Sequence, residues 1–117
     1  MAVNLTIYKG NPYNAVITVT DSAGSAYDLT GKTVFFTVKY LTDEESTDTN
    51  ALITKTVTVH TTPLSGITAL ALSTSETNIA RGFYKYDIRI YQASPLIQLN
   101  SVQGICEVKD TVTKRIA

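Results

Sequence analysis

The chain has 117 residues, of which 44% are hydrophobic, and its ten lysines and arginines balance ten aspartates and glutamates. This length predicts one domain across residues 1–117, and the hydrophobic fraction is too high for a disordered chain. A net charge of zero argues against nucleic-acid binding and polybasic membrane binding, because both need an excess of basic residues. The single cysteine excludes an internal disulfide and a cysteine-based zinc site, and the single histidine leaves almost no material for acid–base chemistry or metal binding.

Apolar and polar residues alternate with a period of two along most of the chain, and helical spacing is not sustained anywhere. Threonine, valine, isoleucine and tyrosine, which are abundant here, suit a pleated and half-buried surface. Turn-forming residues separate the alternating runs. The sequence therefore predicts seven strands, in chain order Val3–Tyr8, Ala15–Thr20, Thr33–Tyr40, Ala51–Val59, Ile67–Leu72, Tyr84–Ile90 and a long last segment Leu96–Val112.

Seven short strands at this spacing are typical of an all-β, immunoglobulin-like antiparallel sandwich. The alternation places one set of side chains toward the core. In the fourth strand Ile53, Val57 and Val59 share a face, and Gly104 in the last segment predicts a bulge or a close backbone approach. The residues expected to face inward in the third and sixth strands are Val34, Phe36, Val38, Tyr84, Tyr86, Ile88 and Ile90.

The segment before the sixth strand predicts a tyrosine corner. Residues 73–82 form the expected crossover between the two sheets, and Ser75 is the expected cap of a helical turn within it. Gly82 stands two residues before Tyr84, which is the spacing of a corner. We expect the Tyr84 hydroxyl to donate to the crossover backbone, and Tyr86 to occupy the place where antibody domains have a cysteine.

The sequence offers few candidates for chemistry. His60 with a neighbouring serine or threonine would make a nucleophile–base pair, but no spaced signature supports it, and a surface or strand-end histidine is the preferred interpretation. Cys106 alternates with apolar residues and has no basic neighbour, which indicates a buried and inert thiol. We therefore expect no enzyme activity, no cofactor and no metal site.

Acidic residues in the loops and tyrosines in the strands are the remaining candidate ligands. The acidic loop lacks the calcium-loop order and its glycine, so a solvated loop is the better account. Asp21 and Gly24 do not form a calcium loop either. Exposed tyrosines would stack on sugars or fill an interface, although such strand residues are more often half-buried packing. The acidic residues are Asp43, Glu44, Glu45 and Asp48, and the tyrosines are Tyr8, Tyr13, Tyr27 and Tyr91.

Targeting and membrane-spanning segments are absent from the pattern. Residues 1–4 carry no charged n-region and no apolar segment follows them, and the longest apolar-rich run, Ile67–Leu72, is too short to cross a bilayer. The expectation is a protein that folds in a cytoplasm.

The turn Asp28–Gly31 has a physical explanation of its own. Asp28 and Thr30 can bond local backbone amides, and Gly31 accepts a positive φ without steric cost. Leu29 is then expected to insert into the end of the core. The motif is structural, and none of its residues is expected to be a site.

Three segments resemble a pattern found in phage tail proteins. Asp21–Val38 combines an Asp-x-x-Gly turn, Asp-Leu-Thr-Gly and an alternating strand. Leu72–Ile88 has a crossover followed by Gly-x-Tyr-x-Tyr, and the end of the chain, residues 104–113, is similar too. Together they resemble the N-terminal domain of baseplate upper proteins and related immunoglobulin-like domains of phage virions. In that family the domain commonly heads a longer protein, so the chain is either a stand-alone virion protein or a fragment.

The resemblance implies a non-enzymatic structural protein of a phage virion, a docking or adaptor component of the tail or baseplate, with head decoration left open. Its partners would be other virion proteins and copies of itself in a symmetric assembly, formed in the host cytoplasm. The alternative is a carbohydrate-binding module that recognises a glycan on the host surface. The expected docking surfaces are the two terminal segments, Val3–Tyr8 and Val102–Thr113, because terminal strands often lie at sheet edges.

Overall fold

Seven strands and one short 3-10 helix form the fold in a computed structural model that describes residues 4–21, 23–43 and 51–110, with only the backbone described at 99–102. The 3-10 helix is Pro63–Ser65. Within these ranges there is no helix long and apolar enough to cross a membrane. The strands are β1 (Leu5–Tyr8), β2 (Tyr13–Thr18), β3 (Thr33–Tyr40), β4 (Ile53–Val57), β5 (Ile67–Leu72), β6 (Gly82–Gln92) and β7 (Ile97–Lys109).

The strands form two sheets, which confirms the predicted all-β sandwich. One sheet has five strands in the order β1-β7-β6-β3-β4, and the other pairs β2 with β5. Every pair is antiparallel except β1 with β7, which run parallel with Leu5 opposite Cys106. The parallel pair forms because β1 continues through residues 9–12 into β2 of the other sheet, so no hairpin sets its direction.

The core fills the space between the inner faces of the two sheets. All seven residues predicted to face inward are at most 5% exposed, which confirms the alternation of β3 and β6. From the smaller sheet Ile17, Leu70 and Leu72 face them, and Ile7 and Val108 close the β1 side. Burying an aliphatic or aromatic side chain of this size stabilises the fold by about 1.5–3 kcal/mol.

Several predicted boundaries move where the chain leaves a sheet. The fourth strand ends at Val57, and Val59 is 85% exposed, so the shared face predicted for Ile53, Val57 and Val59 is wrong at its last member. The chain turns away after β4 because it must cross to β5 in the other sheet. Val3, at the start of the first predicted strand, and residues 111–112, at the end of the last, lie outside the described residues.

The irregularity in the last strand is not at Gly104. Gly104 pairs regularly with Tyr86, whereas the register shifts where Ile88 pairs with Val102 and Arg89 with Asn100. Ser101 is therefore the extra residue of a β-bulge.

The crossover between β5 and β6 is a turn without a regular helix, and its cap is Ser73 rather than the predicted Ser75. The Glu76 amide donates to Ser73 Oγ at 3.3 Å, and the Ser73 amide donates to Glu76 Oε1 at 2.9 Å. This reciprocal pair is a capping box, which needs a hydroxyl three residues before the glutamate. Only Ser73 has that spacing, and Ser75 Oγ instead lies 3.1 Å from Ser73 Oγ.

Candidate interaction surface

Tyr84 forms the predicted tyrosine corner. Its hydroxyl donates to the carbonyl oxygen of Ala80, four residues upstream in the crossover. The side chain is 5% exposed, and burial raises the pKa of its phenol above the ordinary value. The corner ties the start of β6 to the crossover and makes Tyr84 a structural residue.

The Asp28–Gly31 turn also matches its prediction. The Thr30 amide donates to Asp28 Oδ1 at 2.9 Å, and hydrogen bonds from Thr30 hold the pKa of that carboxyl below its usual value. Gly31 has a φ of 72°, and Leu29 is fully buried. The Leu29 amide donates to the Pro63 carbonyl at 2.9 Å, so the turn anchors the 3-10 helix as well.

His60 lies just beyond the end of β4, close to the predicted strand end. Its side chain is hydrogen-bonded on both ring nitrogens instead of being free at the surface. Its Nε2 is 2.6 Å from the Lys32 carbonyl oxygen, and its Nδ1 is 2.9 Å from Thr68 Oγ1. Because a carbonyl only accepts, Nε2 donates to it, and in the neutral ring Nδ1 then accepts from the Thr68 hydroxyl. His60 thus joins the start of β3 in one sheet to β5 in the other.

The pair of His60 and Thr68 has the separation of a base and its nucleophile. Thr68 is fully buried between the sheets, however, so its hydroxyl does not meet solvent or a substrate. The geometry therefore supports a structural hydrogen bond rather than catalysis.

Cys106 is fully buried on the inner face of β7. Burial raises the pKa of its thiol to about 11, which leaves almost no thiolate at neutral pH. This agrees with the predicted inert thiol.

The acidic residues do not come together as a ligand set in the described part of the chain. Of the acidic loop only Asp43 is described, and Glu44, Glu45 and Asp48 lie outside the described residues. Asp21 Oδ1 accepts from the amides of Ala23 and Ser25 at 2.9 and 3.0 Å, which organises its own turn. Residues 4–21, 23–43 and 51–110 contain no group of three or more histidine, cysteine, aspartate or glutamate side chains placed for a metal.

Only one of the four tyrosines proposed as exposed is so. Tyr8 is 49% exposed, whereas Tyr13, Tyr27 and Tyr91 are half-buried. Tyr91 packs near Phe35 with ring centroids 5.9 Å apart, and Lys32 Nζ lies 5.3 Å from the Tyr27 ring centre. Sequence reasoning missed Tyr40, which is 52% exposed because it ends β3 at the rim of the sheet.

The two segments predicted as docking surfaces lie side by side. Residues 5–8 pair with 106–109, so β1 forms the edge of the five-stranded sheet and covers the end of β7. The expectation that both segments are edges is therefore wrong for residues 106–109, because β1 itself pairs there.

The outer faces of β1, β6 and β7 carry three exposed apolar side chains near this edge. Tyr8 is 49% exposed, Phe83 60% and Ile105 36%. The register makes Phe83 and Ile105 diagonal neighbours across β6 and β7, since Phe83 is opposite Glu107 and Ile105 is opposite Lys85. Tyr8, opposite Lys109, lies on the same outer face with β7 between it and Phe83. We call Tyr8, Phe83 and Ile105 the apolar corner. Sequence alternation had assigned Tyr8 outward but did not single out Phe83 or Ile105, which stand next to buried neighbours.

The opposite edge of the same sheet is more polar. Strand β4 exposes Thr54 and Thr56, and Lys55 points inward to form an ion pair with Glu76, its Nζ 3.2 Å from Oε1. An inward-pointing charge on an edge strand discourages pairing with another chain. The apolar corner is thus on the side of the sheet that lacks this feature.

Comparison with known proteins adds no relative: no protein-family model matches the chain, and no curated protein matches it significantly.

Proposed function

We propose that the protein is a non-enzymatic structural component of a phage virion, an adaptor that docks into the tail or baseplate, with head decoration as the other location. The observation that carries this proposal is the apolar corner on the outer faces of β1, β6 and β7. Its partners are neighbouring virion proteins and further copies of the chain.

The composition of the apolar corner fits a docking surface. Phenylalanine and tyrosine are enriched at the centres of interfaces, where they supply large contact areas, and charged residues form the rim. Here Lys85, Glu107 and Lys109 stand directly opposite the three apolar residues in the strand register, so charged side chains flank each apolar one on the outer face. A specific contact of this kind buries about 800 Å² on each partner.

The resemblance to phage virion domains gives the proposal its biological class. The Asp-Leu-Thr-Gly segment forms a turn that buries Leu29, and the Gly-x-Tyr-x-Tyr segment forms a tyrosine corner at the start of β6. Both motifs therefore serve the fold, and neither supplies catalytic groups. What these motifs leave unexplained is the set of exposed apolar side chains, and such side chains suit a protein that assembles with others.

A carbohydrate-binding module is the second candidate. Tyr8 and Tyr40 are both about half-exposed, and exposed aromatic rings can stack on sugars. The strand register places these two residues toward the same end of the five-stranded sheet, and the alternation puts Tyr8 on its outer face and Tyr40 on its inner face, so each ring is a separate stacking site.

The proposal is tested on particles of the phage that encodes the chain. We expect the protein in purified virions, and we expect Phe83→Ala to reduce its incorporation by about tenfold or more, because truncating a central aromatic anchor commonly costs 2 kcal/mol or more. Val16→Ala is the matched control, since Val16 is 75% exposed but lies on the other sheet. Absence from virions together with glycan binding by the isolated chain would favour the carbohydrate-binding candidate.

A further inference from the structure

In the part of the chain that the structure describes, the first half of β7 has an open edge. Residues 97–104 pair with β6 on one side, while β1 pairs only with residues 106–109 on the other. The Ile105 amide donates to Asn4 Oδ1 at 3.4 Å, so the covered part of this edge begins at Ile105. Among the described residues, no strand pairs with this side of residues 97–104.

The direction of the Ile105 amide identifies the backbone groups on the open edge. Because successive residues of a strand point their N–H and C=O groups to opposite sides, Gln103 shares the direction of Ile105, and Gly104 points toward β6. The bulge at Ser101 shifts this phase by one residue. Gln98 and Asn100 therefore also direct their backbone groups to the open edge.

Of the devices that keep strand edges apart, this edge has the bulge at Ser101 but no charge and no proline. The sequence Ile97–Gly104 contains no charged residue and no proline, in contrast to β4 with its inward Lys55. The backbone is already held in an extended form by β6, so a partner strand orders little new chain on pairing. Unpaired amides on such an edge fit one kind of ligand, another extended strand.

We propose that the occupant is the same stretch of a second copy, paired antiparallel about a two-fold axis between residues 100 and 101. Naming a second copy rests on the self-assembly in the proposed function. The arrangement places Ile97 opposite Gly104 and Gln98 opposite Gln103, and it joins the two five-stranded sheets into one of ten strands.

Three observations favour a second copy over an unrelated strand. In each copy the open stretch has eight residues. In the antiparallel arrangement the second copy's stretch ends opposite Gly104, just before the part of β7 that β1 covers, so the two open stretches match in length. Gln98 and Gln103 are both exposed. Gln98 Oε1 accepts from Arg89 Nη2 at 3.1 Å, so the Gln98 NH2 group is the part that donates to Gln103 across the new pair. The stretch is uncharged, so bringing two copies together involves no like-charge repulsion along the edge. The two bulges then lie together at the axis, and each half of the stretch stays regular.

The test is sedimentation equilibrium of the whole chain, with amide hydrogen exchange measured at low and high protein concentration. We expect a dimer, and protection of the Gln98 and Gln103 amides that rises at least tenfold with concentration. The Gly104 amide, which points toward β6, is the internal control and stays protected throughout. A chain that remains monomeric up to about 1 mM, the range of weak specific complexes, would overturn the proposal.

A proline placed on the open edge supplies the matched variants. Gln103→Pro removes an outward N–H without removing a hydrogen bond to β6, so we expect a folded monomer. Gln103→Ala retains the N–H and should still dimerise. If Gln103→Pro dimerises as well as Gln103→Ala, the pairing is wrong, and if it does not fold, the exchange experiment on the unmodified chain decides. Absence of the protein from virions would refute the proposed function but not the dimer, so the two failures are distinguishable.

Discussion

At the scale of single residues, one hydroxyl fixes the start of β6. Tyr84 donates to the Ala80 carbonyl from a side chain that is 5% exposed, so Tyr84→Phe removes a hydrogen bond and leaves that acceptor without its donor. We expect the free energy of unfolding to fall by about 1–2 kcal/mol in a denaturant titration. Tyr40→Phe is the control, because Tyr40 packs near Tyr84 but is 52% exposed, and it should change stability by less than about 0.5 kcal/mol. Equal denaturant midpoints for Tyr84→Phe and the unmodified protein would show that the tyrosine corner does not contribute to stability.

His60 makes the second single-residue contribution, as the link between Lys32 and Thr68. His60→Ala leaves the fully buried Thr68 hydroxyl without the acceptor at Nδ1, so we expect a loss of about 1–3 kcal/mol of stability. Thr68→Val removes the hydroxyl that His60→Ala would leave without an acceptor, and it changes the shape of the side chain little.

A double-mutant cycle measures this link. In His60→Ala combined with Thr68→Val, the total loss should be smaller than the sum of the two single losses by at least 0.5 kcal/mol or so. Additive losses would show that the hydrogen bond contributes nothing. Because His60 acts inside the sandwich, His60→Ala that still folds should assemble normally.

Local sequence patterns revealed those residue roles that depend on near neighbours. The Tyr84 corner spans four residues and the Asp28 turn spans two, so spacing alone predicted both. The role of His60 depends on Lys32, 28 residues away, and on Thr68 in another strand. Such contacts arise from strand order, which the local pattern does not encode. The Ser73 cap, by contrast, is a local Ser-x-x-Glu pattern with Glu76, so the prediction of Ser75 missed a signal that the sequence contains.

At the scale of elements, Gly66 permits the turn between the 3-10 helix and β5. It has a φ of 72°, and a Cβ there would lie 2.8 Å from the Tyr27 carbonyl oxygen and close to that of Val19. Gly66→Ala should therefore cost about 3 kcal/mol or more, from backbone strain and a clash with main-chain atoms that cannot move aside.

Gly31→Ala separates these two causes. Gly31 has the same φ of 72°, but nothing lies within 4 Å of the added Cβ, so only strain of about 1 kcal/mol is expected. Thermal or denaturant unfolding of both variants checks the difference. Equal losses would mean that the close approach at Gly66 has no energetic consequence.

Glu76 couples the crossover to β4 and gives stability a pH dependence. The Ser73 amide, followed by the Lys55 ammonium, lowers the pKa of its carboxyl below the ordinary value. A lowered folded-state pKa contributes stability above the unfolded pKa, near 4.3, and that contribution is lost as pH falls through the folded pKa. Glu76→Gln should thus lower the denaturant midpoint at pH 7, and the difference from the unmodified protein should shrink below about pH 4. A difference that is constant from pH 7 to pH 3 would contradict this account.

Alternation predicted the elements well because one face of each strand is buried. A one-residue slip in β3 or β6 would expose Phe36 or Tyr86, so the pattern there determines both the strand and its inner face. The ends of β4 and the parallel partner of β1 were not predictable in this way. They depend on where the chain crosses between sheets, which is a property of the whole sandwich.

At the scale of the whole molecule, the sandwich buries one continuous core and leaves its apolar corner exposed. The sequence placed docking on the terminal segments, and the structure brings those segments together as neighbours. The sequence could not reveal Phe83 as part of a surface. An outward phenylalanine next to the buried Tyr84 is an ordinary feature of an alternating strand, and its neighbours in β7 are known only from the structure. The proposed function therefore depends on the contact that the apolar corner makes in an assembly.

Imaging of purified virions by electron cryomicroscopy tests that account most directly. We predict density for this sandwich in symmetry-related copies, with Tyr8, Phe83 and Ile105 buried against a neighbouring subunit in a contact of about 800 Å² per partner. Particles that lack the protein, or that carry it with these three side chains facing solvent, would contradict the proposed function.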